Sequence, residues 1–289
     1  MSLLKIIILG VVQGLAELLP VSSSAHVVVA EKLLGLDPSS PAMTLLLVML
    51  HTGTMLAVIV YFWPQWRDTY FKDGTAFKQI AARVIVATVG TAVVGEALIK
   101  VIEKTFFRDV PHAQIEDLFS HLELIAPALA AAGLLILIAG IFGKRNSSAS
   151  PAESKDPDMK QAGLIGVVQG LCLPFRGFSR SGATISAAML MGVDKARAEA
   201  FSFALAVVLT PPVVMREAMR LIHSSAANGA TDLASAAIQS LFGAVVAFFA
   251  GLLALKWLSR WLEGGRWYLF GIYCLVAAAA VMILHGAGF

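Results

Sequence analysis

Charge is scarce in this chain. Only 14% of its 289 residues are Asp, Glu, Lys or Arg, against about 25% in soluble globular domains. Cysteine is nearly missing, and Cys172 and Cys274 have neither metal-ligand spacing nor the numbers of a disulfide framework. No run of Lys and Arg occurs and the net charge is only +3, which gives no footing for a nucleic-acid partner. The period-two alternation of a membrane β-barrel, in strands of about ten residues, is absent too. What remains is 58% apolar residues and a mean hydropathy of +0.78. The fold class expected is an all-α polytopic membrane protein.

Six stretches are long and apolar enough to cross a bilayer, near residues 41–63, 83–102, 122–142, 198–215, 233–256 and 267–286. The fourth holds Pro211-Pro212, which is expected to kink or end its helix. Two further apolar stretches, 3–19 and 161–173, are short, and each leads into a polar loop and another short apolar stretch. That pattern predicts re-entrant pairs over 3–35 and 161–192 rather than spans. The first pair resembles a secretory signal, but Glu17 stands where a cleavage region is small and uncharged, and the pattern returns in mid-chain. It is read as retained.

That return is the strongest organising signal. Gly10-Val-Val-Gln-Gly-Leu15 recurs as Gly166-Val-Val-Gln-Gly-Leu171, each copy ahead of a Ser-rich loop and three spans. Three is odd, so the second half is expected to insert upside down. The result is an inverted-topology repeat whose interrupted helices meet near the midplane and build the site. The halves are 1–142 and 161–289, joined by a polar linker over 143–160. Thirteen Lys and Arg fall on one set of loops and seven on the other. The positive-inside rule makes the richer set, linker included, cytoplasmic, with both termini outside.

Ionisable residues at membrane depth are costly and mark function by default. Gln13 and Glu17 share one helix face, and Ser22, Ser23, Ser24 and His26 follow at once. Glu17 suits a divalent cation or a proton, His26 a general base, and a serine a nucleophile given a base within reach. In the second loop, Arg176 and Arg180 lie among Gly177, Ser179, Ser181 and Gly182, just before Thr184. Free N–H groups at a helix start and guanidinium forks favour an oxyanion or phosphate cradle. His51 lies mid-span and reads equally as a cavity residue or a satisfied interior histidine. Glu96 is expected to pair inside the bundle, Cys172 to pack, and Trp and Tyr near 61–66 and 257–268 to anchor at the interface. His112, Glu116 and His121 are expected to be solvated in an outer loop. An inverted repeat with re-entrant loops is also a transporter architecture. A flippase or phosphate-linked transporter is therefore the alternative class.

The segment from Gln13 to His26 resembles the (E/Q)xxxE and PVSSxxH signature of the bacterial undecaprenyl-diphosphate phosphatase family of the bacitracin-resistance type. Gly177 to Thr184 resembles its second signature, PGxSRSxxT. Two departures stand out: Gln13 replaces the first motif's glutamate, and Arg176 replaces the proline before the second motif's glycine. The resemblance implies hydrolysis of undecaprenyl diphosphate to the monophosphate and phosphate. This recycles the lipid carrier of cell-wall synthesis; with the loop charges above, the protein is expected in the inner membrane with the site open to the periplasm. It also implies a divalent cation, Mg²⁺ or Ca²⁺, held by Glu17, with Glu17, His26, Ser23 and Arg180 as catalytic positions. Gln13, Ser22, Ser24, Arg176, Gly177, Ser179, Ser181, Gly182 and Thr184 are the expected substrate contacts. Bacitracin is expected to compete for the substrate, and the protein to form a homodimer.

Overall fold

The computed structural model describes residues 1–37, 40–106, 122–143, 156–228 and 233–287. Most of the expected linker, and the outer loop with Arg108, His112, Glu116 and His121, lie outside the described residues. Ten helices follow in order: α1 (Leu3–Leu18), α2 (Ser23–Leu33), α3 (Pro41–Thr69), α4 (Gly74–Phe106), α5 (Leu122–Phe142), α6 (Met159–Cys172), α7 (Arg180–Leu190), α8 (Lys195–Asn228), α9 (Leu233–Glu263) and α10 (Trp267–Gly286). Among the described residues there is no strand.

Six of the helices, α3, α4, α5, α8, α9 and α10, are long and apolar enough to span a membrane, and they coincide with the six expected stretches. The other four fall short. At 1.5 Å per residue, α1 reaches about 24 Å and α2 and α7 about 16 Å, less than the ~30 Å hydrocarbon core. Each short pair turns back on itself, with α1 against α2 and α6 against α7.

The repeated hexapeptide turns out to be a packing device. Gly10 and Gly14 lie one turn apart on α1, where an added Cβ would come within 2.9 Å of Val246 and 2.6 Å of Ala250 on α9. Gly166 and Gly170 repeat this on α6 against α4, with an added Cβ 2.1 Å from the Ala87 carbonyl and 2.8 Å from that of Thr91. Small residues let helices approach to backbone contact where lipid offers no hydrophobic drive. The Thr91 hydroxyl adds a bond of 3.0 Å to the Gly166 carbonyl across that interface. Thus α1 is seated on α9 and α6 on α4, while α3 packs on both α8 and α9 and α5 on α10.

Two expectations change and one is narrowed. First, of the kink or end expected at Pro211-Pro212, the end does not occur, since α8 runs on to Asn228. Two prolines free the carbonyls a turn earlier, and in a spanning helix buried surroundings tolerate that disruption. The freed carbonyl of Val207 belongs to a residue that lines the central cavity. Second, the aromatics divide. Trp63 and Trp257 are exposed, but Trp66 and Trp267 are buried. Their indole N–H groups donate to the Ala200 carbonyl (3.3 Å) and Ser186 Oγ (3.0 Å), so the polar end of each ring is satisfied inside. Third, Glu96 does not pair inside the bundle. It makes an exposed i,i+4 pair with Lys100 at 3.1 Å.

Candidate active site

Glu17 is the centre of the site. It sits in the last turn of α1 with its side chain 13% exposed. Its Oε1 accepts Arg180 Nη2 at 2.8 Å. Its Oε2 accepts Ser23 Oγ at 2.5 Å and Gln13 Nε2 at 3.1 Å. A carboxylate this buried requires such partners, because an unpaired charge in the interior is strongly destabilising. Gln13 and Glu17 come from one face of α1, Ser23 opens α2, and Arg180 opens α7. The acid and nucleophile candidates of the first loop therefore meet the guanidinium of the second, 163 residues away.

The two loops also bond directly. Gly177 N–H donates to Ser24 Oγ at 3.4 Å, and Ser181 Oγ donates to the Leu19 carbonyl at 3.5 Å. Ser22 and Ser24 hydroxyls lie 3.2 Å apart. Ser179 caps α7 by accepting from Gly182 N–H at 3.2 Å. The Thr184 hydroxyl donates to the Arg180 carbonyl at 2.9 Å and meets Ser202 Oγ at 2.6 Å. Ser179 and Thr184 are buried within this support, so they hold Arg180 in place rather than face the cavity.

The departure at Arg176 is accommodated by a turn. Phe178 N–H donates to the Phe175 carbonyl at 3.1 Å, and Gly177 has φ +104°. This is a type II arrangement, with glycine at the third position and proline favoured at the second. Arg176 occupies that second position. A Cβ at Gly177 would also meet the Ile125 carbonyl at 2.4 Å. The Arg176 side chain is exposed and acts electrostatically on buried Glu31 of α2 rather than joining Arg180 at Glu17.

Ser22 has φ +69°, the left-handed region that costs a serine roughly 1–3 kcal/mol and persists where surroundings over-determine it. The conformation presents its carbonyl to His26 Nδ1 at 2.8 Å. His26 Nε2 meets the Tyr273 hydroxyl of α10 at 2.7 Å. Among the described residues His26 makes no hydrogen bond to Ser23 or Glu17.

The imidazole beside Glu17 is that of His51, with Nε2 3.8 Å from Oε2. Its Nδ1 bonds the Leu47 carbonyl at 2.8 Å, and since a carbonyl only accepts, the proton of the neutral ring lies there. A cavity between α3 and α8 is lined by Glu17, His51 and Arg180 at its polar end and by Met55, Val58 and Phe203 among its apolar walls. Of the two readings of His51, the cavity position holds. Tyr273 carried no sequence signal, since a tyrosine in an apolar helix is unremarkable and its partner lies 247 residues away.

The second copy of the repeat lacks this chemistry. Leu173 stands four residues after Gln169, where Glu17 follows Gln13. Among the described residues, both amide atoms of buried Gln169 lack a hydrogen-bond partner.

Comparison with known proteins agrees with this geometry. The family described as bacitracin resistance protein BacA matches residues 6–280. Over 287 residues the chain is 57% identical to undecaprenyl-diphosphatase 2 of Acinetobacter baylyi, covering 98% of each chain. It is 30% identical to undecaprenyl-diphosphatase of Halothermothrix orenii over 99% of each. It is 32% identical to that of Desulfosudis oleivorans over 96% of each. The chain belongs to the bacitracin resistance protein BacA family.

Proposed function

We propose that this protein is an integral membrane phosphatase that hydrolyses undecaprenyl diphosphate to undecaprenyl phosphate and inorganic phosphate. It thereby recycles the lipid carrier of cell-wall synthesis and confers bacitracin resistance. The names of its relatives support the substrate. The observation that carries the chemistry is the Ser23–Glu17–Arg180 cluster: a hydroxyl donating to a buried carboxylate that is itself ion-paired to a guanidinium. Anion binding alone needs the arginine but not the hydroxyl–carboxylate pair.

In the reading we favour, the diphosphate enters the polar end of the cavity and the prenyl chain lies along its apolar wall and the lipid beyond. Arg180 turns its fork onto phosphoryl oxygens, where catalysis is mainly positioning and electrostatics. Ser23 Oγ attacks the terminal phosphorus and passes its proton to Glu17 while the bridging P–O bond breaks and undecaprenyl phosphate leaves. Water then attacks the phosphoserine, giving its proton to His26, and Ser23 regains a proton from Glu17 as the Oγ–P bond breaks.

A divalent cation also fits, though not in a protein cage. Among the described residues no group of three His, Cys, Asp or Glu gathers, and Glu17 already accepts three hydrogen bonds. Mg²⁺ commonly rests on one or two carboxylates plus substrate phosphates, so Glu17 would hold a Mg²⁺ or Ca²⁺ that arrives with the diphosphate. The ion would neutralise charge on the phosphoryl oxygens. The same proposal places the chain as an inverted-topology repeat of halves 1–142 and 161–289 in the inner membrane, with the site open to the periplasm. Bacitracin competes for its lipid, and two copies form a homodimer.

The deciding experiment is phosphate release from undecaprenyl diphosphate by purified protein in detergent, where no second compartment exists. Turnover there supports the phosphatase. Tight lipid binding with no phosphate released would favour the flippase or transporter instead.

A further inference from the structure

We propose that Tyr273 is a positioning residue for the hydrolytic step, acting through His26. The inference rests on the reading of His26 as the base that serves the attacking water.

Two hydrogen bonds define the imidazole. Nδ1 lies 2.8 Å from the Ser22 carbonyl, which accepts only, so the proton of the neutral ring is on Nδ1. Nε2 therefore carries the lone pair, and the Tyr273 hydroxyl 2.7 Å away donates to it. The rings also stack, with centroids 5.7 Å apart and planes inclined by 13°. One of these contacts has a structural cost behind it. Ser22 is held at φ +69°, and that conformation supplies the carbonyl. Tyr273 stands on α10 at the other end of the sequence and keeps its ring half-exposed at the bundle surface while its hydroxyl reaches inward.

This arrangement separates two proton-handling pairs. Ser23 is held by Glu17, and the nitrogen of His26 that can take a proton is held by Tyr273, so in the resting site the imidazole does not compete for the Ser23 hydrogen. A water that enters to attack a phosphorylated serine needs that lone pair aimed at it. The Ser22 carbonyl fixes the tautomer and the phenol holds the ring plane, so that only the hydroxyl must rotate aside. Ser22 of the first loop holds only Nδ1; the restraint on Nε2 and on the ring plane comes from α10.

The test is a double-mutant cycle of Tyr273→Phe and His26→Gln, read as single-turnover phosphate release from undecaprenyl diphosphate with purified protein in excess. Phenylalanine keeps the ring and its stacking and removes one hydroxyl from a half-exposed residue. In the wild-type background Tyr273→Phe is expected to lower kcat roughly three- to tenfold, the scale of one hydrogen bond, with KM within about twofold. In the His26→Gln background it is expected to have no further effect, because residues acting as a unit are not additive. The same fold-loss in both backgrounds, or no loss in either, would overturn the inference while leaving the phosphatase intact. A wild-type protein that releases no phosphate at all would instead overturn the reading beneath it.

Discussion

Arg180 and Arg176 are four residues apart and look alike in sequence, yet their surroundings assign them different work. Arg180 is half-buried, its Nη2 on Glu17 and its carbonyl tied by Thr184. Arg176 is the exposed second residue of a type II turn, a position proline suits as well. A lysine at 180 keeps a point charge but loses the fork that spans carboxylate and phosphate. Arg180→Lys is therefore expected to lose most of the turnover and Arg180→Ala nearly all, on the order of a hundredfold for a lost ~3 kcal/mol. Arg176→Pro should fold and keep substantial turnover. Steady-state kinetics decide the matter: a dead Arg176→Pro beside a healthy Arg180→Lys would place the phosphate on the wrong arginine.

At the scale of elements, the short helices owe their positions to glycine. A Cβ at Gly166 would sit 2.1 Å from the Ala87 carbonyl, a backbone atom that cannot step aside, whereas at Gly163 on the same helix it would meet only Val86 at 3.5 Å. Gly166→Ala is expected to destabilise the protein by about 1–3 kcal/mol or more through overpacking. Gly163→Ala should be neutral or slightly stabilising, since alanine is the better helix former. Thermal unfolding in detergent compares the two, and an equally stable Gly166→Ala would mean that α6 is not seated on α4 as described. The repeated hexapeptide was visible in the sequence, but its purpose was not. Periodicity and length located all six spans and both short pairs, because apolar length is a one-dimensional property. Whether α8 continued or ended at Pro211-Pro212 was left open, because it depends on what surrounds the freed carbonyls. The inward turn of Trp66 and Trp267 was illegible for a similar reason: a hydrogen bond to a distant helix decides whether an indole is buried.

For the whole molecule, the site is assembled from the two ends of short helix pairs that lie far apart in the chain. Glu17, Ser23 and Arg180 were legible as candidates because each sits in a polar loop within apolar sequence. That the two loops meet was expected from the repeat; which atoms pair was not legible, since it is a matter of how α1, α2 and α7 converge. Nor was the exchange of imidazoles, with His51 beside Glu17 and His26 turned to Tyr273, since each depends on a helix remote in sequence. Everything in this arrangement turns on Glu17, which accepts Ser23, Gln13 and Arg180 at once. Replacing it with Gln13's own side-chain type preserves size and leaves an oxygen to accept, but removes the charge that pairs with Arg180 and the base that takes the Ser23 proton. The most direct measurement is single-turnover phosphate release from undecaprenyl diphosphate by purified Glu17→Gln, beside the wild type. A fall of about a hundredfold or more, with the melting transition retained, is the predicted result. Near-wild-type release by Glu17→Gln would contradict the account at its centre.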